Sequence, residues 1–409
     1  MAVALVSVAA SSWASPPARS WSLTNLVKVA RHRYPAYVGI RAVGLTNSGA
    51  VYWTAYRQYT DGKTLEVFRW KSGRLSDLGS PGPGLGVYAV NGRGQFVVET
   101  MPPPVPTGPV SSGVIPWPDI HAYLWQQGKL TPLGSLGGSH TFAQAINDRG
   151  QVVGSSDLSK SARVPLHAFL WQNGKMTDLG TLGGSYSEPT AINDRGQIIG
   201  TSLTASRRLH GFIWEHGKMT DLGTLGGSET RPVALNEHGQ VIGQSTTPNG
   251  TAHHFDDGVA FVWQNGKMTR LPTLDLHGYP GMSPRSVPSA INDRGEIVGI
   301  SETSDAAGRA FLWQDGRMVD LGTLGGRSSH AAAIDDRGDV VGWSDTKLVP
   351  WTAEQAPRPR PVLWQDGVKV ELPVDYPSPT EATTITPSGN EILGAGGWPP
   401  HQALLWIRS

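Results

Sequence analysis

The stretch Ala191-Ile-Asn-Asp-Arg-Gly-Gln-Ile-Ile-Gly200, followed by His210-Gly-Phe-Ile-Trp-Glu-His-Gly-Lys-Met-Thr-Asp-Leu-Gly-Thr-Leu-Gly-Gly227, is one copy of a phrase that runs through the whole chain. Its first half returns as Ala145-Ile-Asn-Asp-Arg-Gly-Gln-Val-Val-Gly154 and Ala290-Ile-Asn-Asp-Arg-Gly-Glu-Ile-Val-Gly299. Its second half returns as His167-Ala-Phe-Leu-Trp171 and Arg309-Ala-Phe-Leu-Trp313. Internal repetition of this kind decides the architecture before any residue-level reading does.

Working outward, the second-half tryptophan falls at Trp70, Trp125, Trp171, Trp214, Trp263, Trp313, Trp364 and Trp406. That makes eight copies about 48 residues apart, within the range of propeller repeats. The first-half glycine falls at Gly49, Gly94, Gly150, Gly196, Gly239, Gly295, Gly338 and Gly389. Three residues before each glycine stands Thr46, Asn91, Asn147, Asn193, Asn236, Asn292, Asp335 or Thr386. Each of these side chains can bond its own backbone two residues on and so close a turn. Each copy reads as two hairpins. In the third, strands over about 142–146 and 151–155 flank the Asn147–Gly150 turn, and strands over 167–171 and 175–179 flank Gln172-Asn173-Gly174. Asn-Gly between apolar runs is a strong hairpin signal, and no repeat carries a helical period.

Four antiparallel strands per copy make the unit of a β-propeller blade. The expectation is an all-β chain: an eight-bladed β-propeller of four-stranded antiparallel blades over residues 21–409. The eighth copy stops after three strands, ending at Gln402-Ala-Leu-Leu-Trp406, while Trp21-Ser-Leu-Thr-Asn-Leu26 resembles the fourth-strand phrase Lys218-Met-Thr-Asp-Leu-Gly223. An N-terminal strand completing the last blade would close the ring, and closure removes open sheet edges.

In the repeats the chain resembles the HAF-repeat family, named for the His-Ala-Phe of His167-Ala168-Phe169. The match covers about residues 40–409, and its departures lie in copies one, two, five, seven and eight, chiefly in loops. The resemblance implies an extracellular bacterial repeat protein. It supplies no activity or catalytic residue to carry over.

Composition bounds the function. Lys plus Arg is 34 against 33 for Asp plus Glu, with no basic run, which argues against a nucleic-acid or anionic-membrane surface. There is no cysteine, hence no disulfide, thiolate metal site or cysteine nucleophile. Residues 1–20 read as a disordered segment or the rear of a secretory signal: an apolar stretch Ala2–Ala10 and a small-x-small site at Ser12-Trp13-Ala14, without a basic start. No run reaches the roughly 18 apolar residues of a membrane span. The chain is expected to be a secreted monomer.

Both tight turns of a meander lie at one end of the strands, so the variable connections collect at the other, called here the upper face. Loops carry function while strands carry the fold. Three candidate sites lie there. Trp343, Trp351, Trp398 and Trp117 fall outside the repeat tryptophan position, in expected upper loops, with Tyr56 and Tyr59 of the first copy between them around the ring. Exposed rings of this kind stack on sugars. The fifth copy carries His253, His254, Asp256 and Asp257 in one loop and Asp275 and His277 in another, the chemistry of a weak divalent-cation site, though their spacing fits no known ligand signature. Five residues before each turn residue come Arg41, Gly86, Phe142, Glu188, Arg231, Val287, His330 and Glu381, which should ring the channel mouth.

The repeat histidines His121, His167 and His210 start strands of different blades and read as local hydrogen-bonding groups. The expected function is a secreted, non-catalytic binding or scaffold protein that takes a polysaccharide or cell-surface partner on its upper loops, with no cofactor. The alternatives are a carbohydrate-active hydrolase or lyase, and a purely structural surface protein. No nucleophile elbow, phosphate loop or His-Glu-x-x-His motif is present. Glu188 and Glu381, the best carboxyl pair by position, belong to blades four apart, too far for the about 5–9.5 Å separation of glycosidase carboxylates.

Overall fold

The computed structural model describes residues 20–33, 37–57, 65–100, 119–159, 166–248, 258–274, 285–305, 307–346, 359–375, 380–396 and 402–408. Its strands form eight four-stranded antiparallel sheets. Seven are simple meanders, blades 1 to 7, over 37–79, 85–132, 141–178, 183–221, 230–270, 286–320 and 325–371. Blade 8 takes its inner three strands from 380–408 and its outer strand from Trp21–Asn25, paired antiparallel with Gln402–Arg408 so that Leu23 faces Trp406. The ring is an eight-bladed β-propeller closed by its N-terminal strand, as the truncated last copy implied.

A helix, α1 (Leu26–Arg33), follows that strand and was not expected from the repeats. Asn25 caps it, its Oδ1 accepting the Lys28 amide at 3.1 Å. Leu26, Val27 and Ala30 are buried on the face that packs against the seam between blades 8 and 1. Arg31, His32 and Arg33 fill the last turn, where cations suit the helix dipole.

The core is not one mass but eight clusters, one at each interface between neighbouring blades. The repeat tryptophan packs on the preceding blade: Trp171 lies with Val97, Ala122 and Leu124, and Trp406 lies with Val341 and Leu363. Burying such a ring is among the largest single apolar contributions a side chain makes.

The innermost strands carry a bulge, for instance between Ala143 and Ala145 or between Pro189 and Ala191. This accounts for the glycine that ends each Val-Val-Gly or Ile-Ile-Gly. A Cβ on Gly200 would stand 2.1 Å from the Glu188 carbonyl oxygen, and one on Gly154 would stand 2.0 Å from that of Phe142. Proline at Pro189, Pro232 and Pro288 fits the same place, since a bulged edge strand does not need that amide in its ladder.

Candidate functional site

Along each inner strand, burial alternates in a way that separates scaffold from channel wall. The residue before the channel position is a buried hydroxyl in six blades: Thr141, Ser187, Thr230, Ser286, Ser329 and Thr380. These hydroxyls staple blades together. Ser187 Oγ accepts the Ala168 amide of blade 3 at 2.9 Å and donates to the Gly180 carbonyl at 2.6 Å. Ser329 does the same to Ala310 and Gly322. The residue after the channel position is small or proline and buried, as at Ala143, Pro189, Pro232, Pro288, Ala331 and Ala382.

Between these constant positions the side chains vary, with six residue types over the eight blades. Arg41, Arg231, Val287 and Glu381 are exposed, and Phe142, Glu188 and His330 are half-buried. Two residues deeper, Tyr88 and Val233 are exposed on innermost strands, Tyr88 at 48%. An exposed side chain on an innermost strand of a closed ring faces the central channel. The upper channel wall therefore carries both signs of charge, two aromatic rings and two exposed valines.

Local contacts organise this wall. The Tyr186 hydroxyl donates to the Glu188 carboxylate. Burial, then that hydrogen bond and charge, hold the Tyr186 phenol well above its ordinary pKa, so it stays protonated as a donor. The His330 Nε2 lies 3.0 Å from Ser289 Oγ of blade 6, and burial pushes the imidazole below its usual value, leaving it neutral near pH 7. No hydrogen bond reaches its Nδ1 among the described residues, so no carboxylate orients the ring as a triad would. The His140 ring stacks on Phe142 at 6.3 Å, and its Nδ1 is 2.7 Å from Asp157.

One carboxylate behind the wall was missed in the sequence. Glu99 of blade 2 pairs across from Gly86, whose missing side chain leaves it room. It is 5% exposed and its Oε1 accepts the Ala143 amide, at 2.5 Å, in the bulge of blade 3. Blades 4 to 6 have proline there and no such amide to satisfy. Burial raises the Glu99 carboxyl from 4.5 to about 7, partly offset by that hydrogen bond.

The aromatic set expected on the upper loops is corrected in part. Trp343 is not in a loop. It lies within the second strand of blade 7, Val340–Thr346, half-buried, paired with His330 and tilted over that ring at 6.2 Å. In blades 3 to 8 the second strand runs on past its glycine, and Trp343 is the first residue beyond Gly342. Tyr56 likewise belongs to a strand, Val51–Arg57 of blade 1, and not to a loop. Trp351, Trp398, Trp117 and Tyr59 lie outside the described residues, as do His253, His254, Asp256, Asp257, Asp275 and His277 of the candidate cation site. Among the described residues no three His, Asp or Glu side chains converge as a metal site.

Two of the three repeat histidines, His167 and His210, bond locally through their rings, as expected; His121 is exposed and bonds Thr100 Oγ1 through its backbone amide. His167 Nδ1 reaches Asp178 on the outer strand of its own blade at 3.0 Å, and His210 reaches Asp221 at 2.9 Å. In blades 6 and 7 the pairs become Arg309 with Asp320 and Arg360 with Glu371.

At the lower mouth, carboxylates serve the scaffold. Asp148 accepts the Gly92 amide at 2.6 Å, Asp194 the Asp148 amide at 2.8 Å and Glu237 the Asp194 amide at 2.9 Å, each reaching back one blade. They surround a cavity of about 210 Å³, and an exposed arginine follows Asp148 and Asp194 in the turn.

No protein-family model matches the chain, and no curated protein does. Among solved structures it is similar to the β-propeller domain of the Trilobed protease from Pyrococcus furiosus, with 11% identity and a TM-score of 0.46, covering 83% of this chain and 97% of that one. It is similar to a Mycobacterium tuberculosis puromycin-hydrolyzing peptidase, with 15% identity and a TM-score of 0.44, covering 92% of this chain but only 59% of that one. It is similar to an Aleuria aurantia lectin, with 11% identity and a TM-score of 0.29, covering 71% of this chain and 98% of that one. At such identities the likeness concerns the propeller fold alone.

Proposed function

We propose that this propeller is a secreted, non-catalytic binding module that takes a carbohydrate at the upper end of its channel. One observation carries the reading. On the inner strands, a buried hydroxyl recurs in six blades and a small or proline residue follows it two positions on, while the channel position between them is Arg41, Gly86, Phe142, Glu188, Arg231, Val287, His330 or Glu381. Scaffold positions repeat because packing dictates them. A channel position free of that constraint, filled by six residue types over eight blades, is where recognition resides. Exposed Tyr88 and half-buried Phe142 offer ring faces, and the Arg and Glu side chains offer hydrogen bonds of both polarities, the combination that suits a polyhydroxylated ring. The near balance of 34 basic against 33 acidic residues favours a neutral or zwitterionic glycan over a polyanion.

Secretion rests on the signal-like N-terminus and on the resemblance to the HAF-repeat family. The non-catalytic reading rests on the separation of Glu188 and Glu381 by four blades and on the lack, among the described residues, of an orienting acid at His330. The test is a glycan-array screen of the purified protein with and without divalent cations. Binding without turnover supports the reading; release of product from a bound glycan, or no binding to any glycan, overturns it.

A further inference from the structure

Seen blade by blade, the outer strands share one pattern, and blade 7 alone inverts it. The first outer-strand residue is Arg74, Lys129, Lys175, Lys218, Lys267 or Arg317 in blades 1 to 6 and Ser22 in blade 8; in blade 7 it is Val368. The second is Leu75, Leu130, Met176, Met219, Met268, Met318 or Leu23, an apolar residue turned toward the core; in blade 7 it is Lys369. The third is Ser or Thr in six blades, Val319 in blade 6 and Val370 in blade 7. The pairing register is unchanged, because Gln365 faces Val368 just as Gln172 faces Lys175. Apolar and polar residues have therefore exchanged faces without any shift of the strand. All four residues of Val368–Glu371 are exposed, Val368 at 59% and Val370 at 37%.

An outer strand has one unpaired edge, and cationic side chains are a standard means of keeping such an edge from pairing with another chain. Blade 7 has lost that guard at the first position and has gained valines, residues favoured in paired strands. The free edge also has a definite hydrogen-bonding parity. Asp366 and Gly367, both at positive φ (50° and 74°), form a two-residue turn that closes on Gln365 and Val368. Leu372 donates its amide to Pro361 at 2.9 Å. Val368, Val370 and Leu372 thus direct their backbone groups into the blade, and Lys369 and Glu371 direct theirs outward.

We propose that the outer strand of blade 7 pairs with the same strand of a second copy, giving a two-fold dimer joined through a continuous sheet. With the axis at Val370, the sequence Val-Lys-Val-Glu is complementary to itself. Lys369 stands opposite Glu371 of the second copy and Glu371 opposite its Lys369, at the two positions whose amides and carbonyls face outward. Both charged pairs fall on one face of the sheet, and Val370 meets its own counterpart on the other. Like residues pair only where the axis passes, as an isologous contact requires. Glu371 Oε1 lies 3.5 Å from Arg360 within its own blade, so one carboxylate would join two cations. The dimer replaces the monomer expected from the sequence.

Sedimentation equilibrium of the intact protein reads the association directly, and the absence of cysteine allows a clean cross-linking arm. Opposite residues of a non-hydrogen-bonded antiparallel pair have Cα atoms about 4.5 Å apart, within the range of a disulfide. Val370→Cys should therefore give a covalent dimer on mild oxidation. Thr177→Cys, at the same position of blade 3, should form no covalent dimer under the same oxidation. Wild type should sediment as a dimer and Val370→Lys as a monomer with an unchanged far-ultraviolet spectrum. A monomeric wild type, a dimer insensitive to Val370→Lys, or equal cross-linking of both cysteine variants would each overturn the proposal.

Discussion

Asn147 in the lower turn of blade 3 donates from Nδ2 to the backbone carbonyl of Asn193 in blade 4, at 2.9 Å. The contact repeats around the ring. Asn91 donates to Asn147, Asn193 to Asn236, Asn236 to Asn292 and Asn292 to Asp335, all at 2.8–3.0 Å. Within its own turn Asn147 Oδ1 accepts the amides of Arg149 and Gln151, and Nδ2 also donates to Gln151 Oε1. One buried amide thus makes four hydrogen bonds and joins two blades. The chain of contacts ends at Asp335, whose carboxylate has no N–H to pass on.

Replacing Asn147 by Asp keeps the shape and the acceptor but removes both donors and buries a charge. The expected cost is about 2–4 kcal/mol, the penalty for leaving buried partners unsatisfied. Asn147→Ala should cost about as much. Chemical denaturation checks both, and a loss under about 0.5 kcal/mol, typical of a surface change, would contradict the network.

The bulge glycines and the turn glycines should respond differently to alanine. Gly200→Ala places a Cβ 2.1 Å from the Glu188 oxygen, so the inner strand must move, and a loss above about 3 kcal/mol is expected. Gly174→Ala in the third-to-outer turn meets open space and pays only for its positive φ, roughly 1 kcal/mol. Thermal unfolding of the two variants side by side measures the contrast.

Ring closure depends on Trp21–Asn25 and the helix behind it. Deleting residues 1–28 exposes Trp406, which is fully buried and donates to the Pro373 carbonyl at 2.7 Å. The loss should exceed the about 3–5 kcal/mol of truncating one buried aromatic, and cooperative unfolding should disappear. Calorimetry with an unchanged transition would show that the ring does not need this strand.

These features differ in how far they could be read in advance. The turns, the strand order and the closure were legible because each depends on residues adjacent in sequence, or on one copy lacking a strand. The bond from Asn147 to Asn193 was not, since a turn asparagine looks the same whether or not a neighbouring blade accepts its second proton. Helix α1 was overlooked because the repeats carry no helical period, although Asn25 as a cap and buried Leu26 and Ala30 at i and i+4 are a readable signal. Trp343 was misplaced by a strand boundary, which local propensity fixes poorly. The role of Glu99 required knowing that Gly86 stands opposite it and that Ala143 of the next blade carries an amide where other blades have proline.

Glu99 should give the protein a pH-dependent stability. Its carboxyl titrates near 4.5 when unfolded and at about 7 when folded, so between those values the folded chain keeps a proton that the unfolded chain releases. The stabilisation is full below pH 4.5 and is lost as pH rises through 7, a change of about 3 kcal/mol. Glu99→Gln retains an acceptor for the Ala143 amide and has no proton to lose. Its melting temperature should fall less than that of wild type between pH 5 and pH 8, and parallel curves would assign the titration elsewhere.

The central claim is that the upper channel wall recognises a carbohydrate, and calorimetric titration of the best glycan from an array tests it most directly. Tyr88→Ala and Arg231→Ala should each weaken binding at least about tenfold, equivalent to about 1.4 kcal/mol, with unchanged melting temperatures. Arg149→Ala, on the exposed lower turn, should bind as wild type does. Wild-type affinity in both wall variants, or a loss confined to Arg149→Ala, would contradict the account.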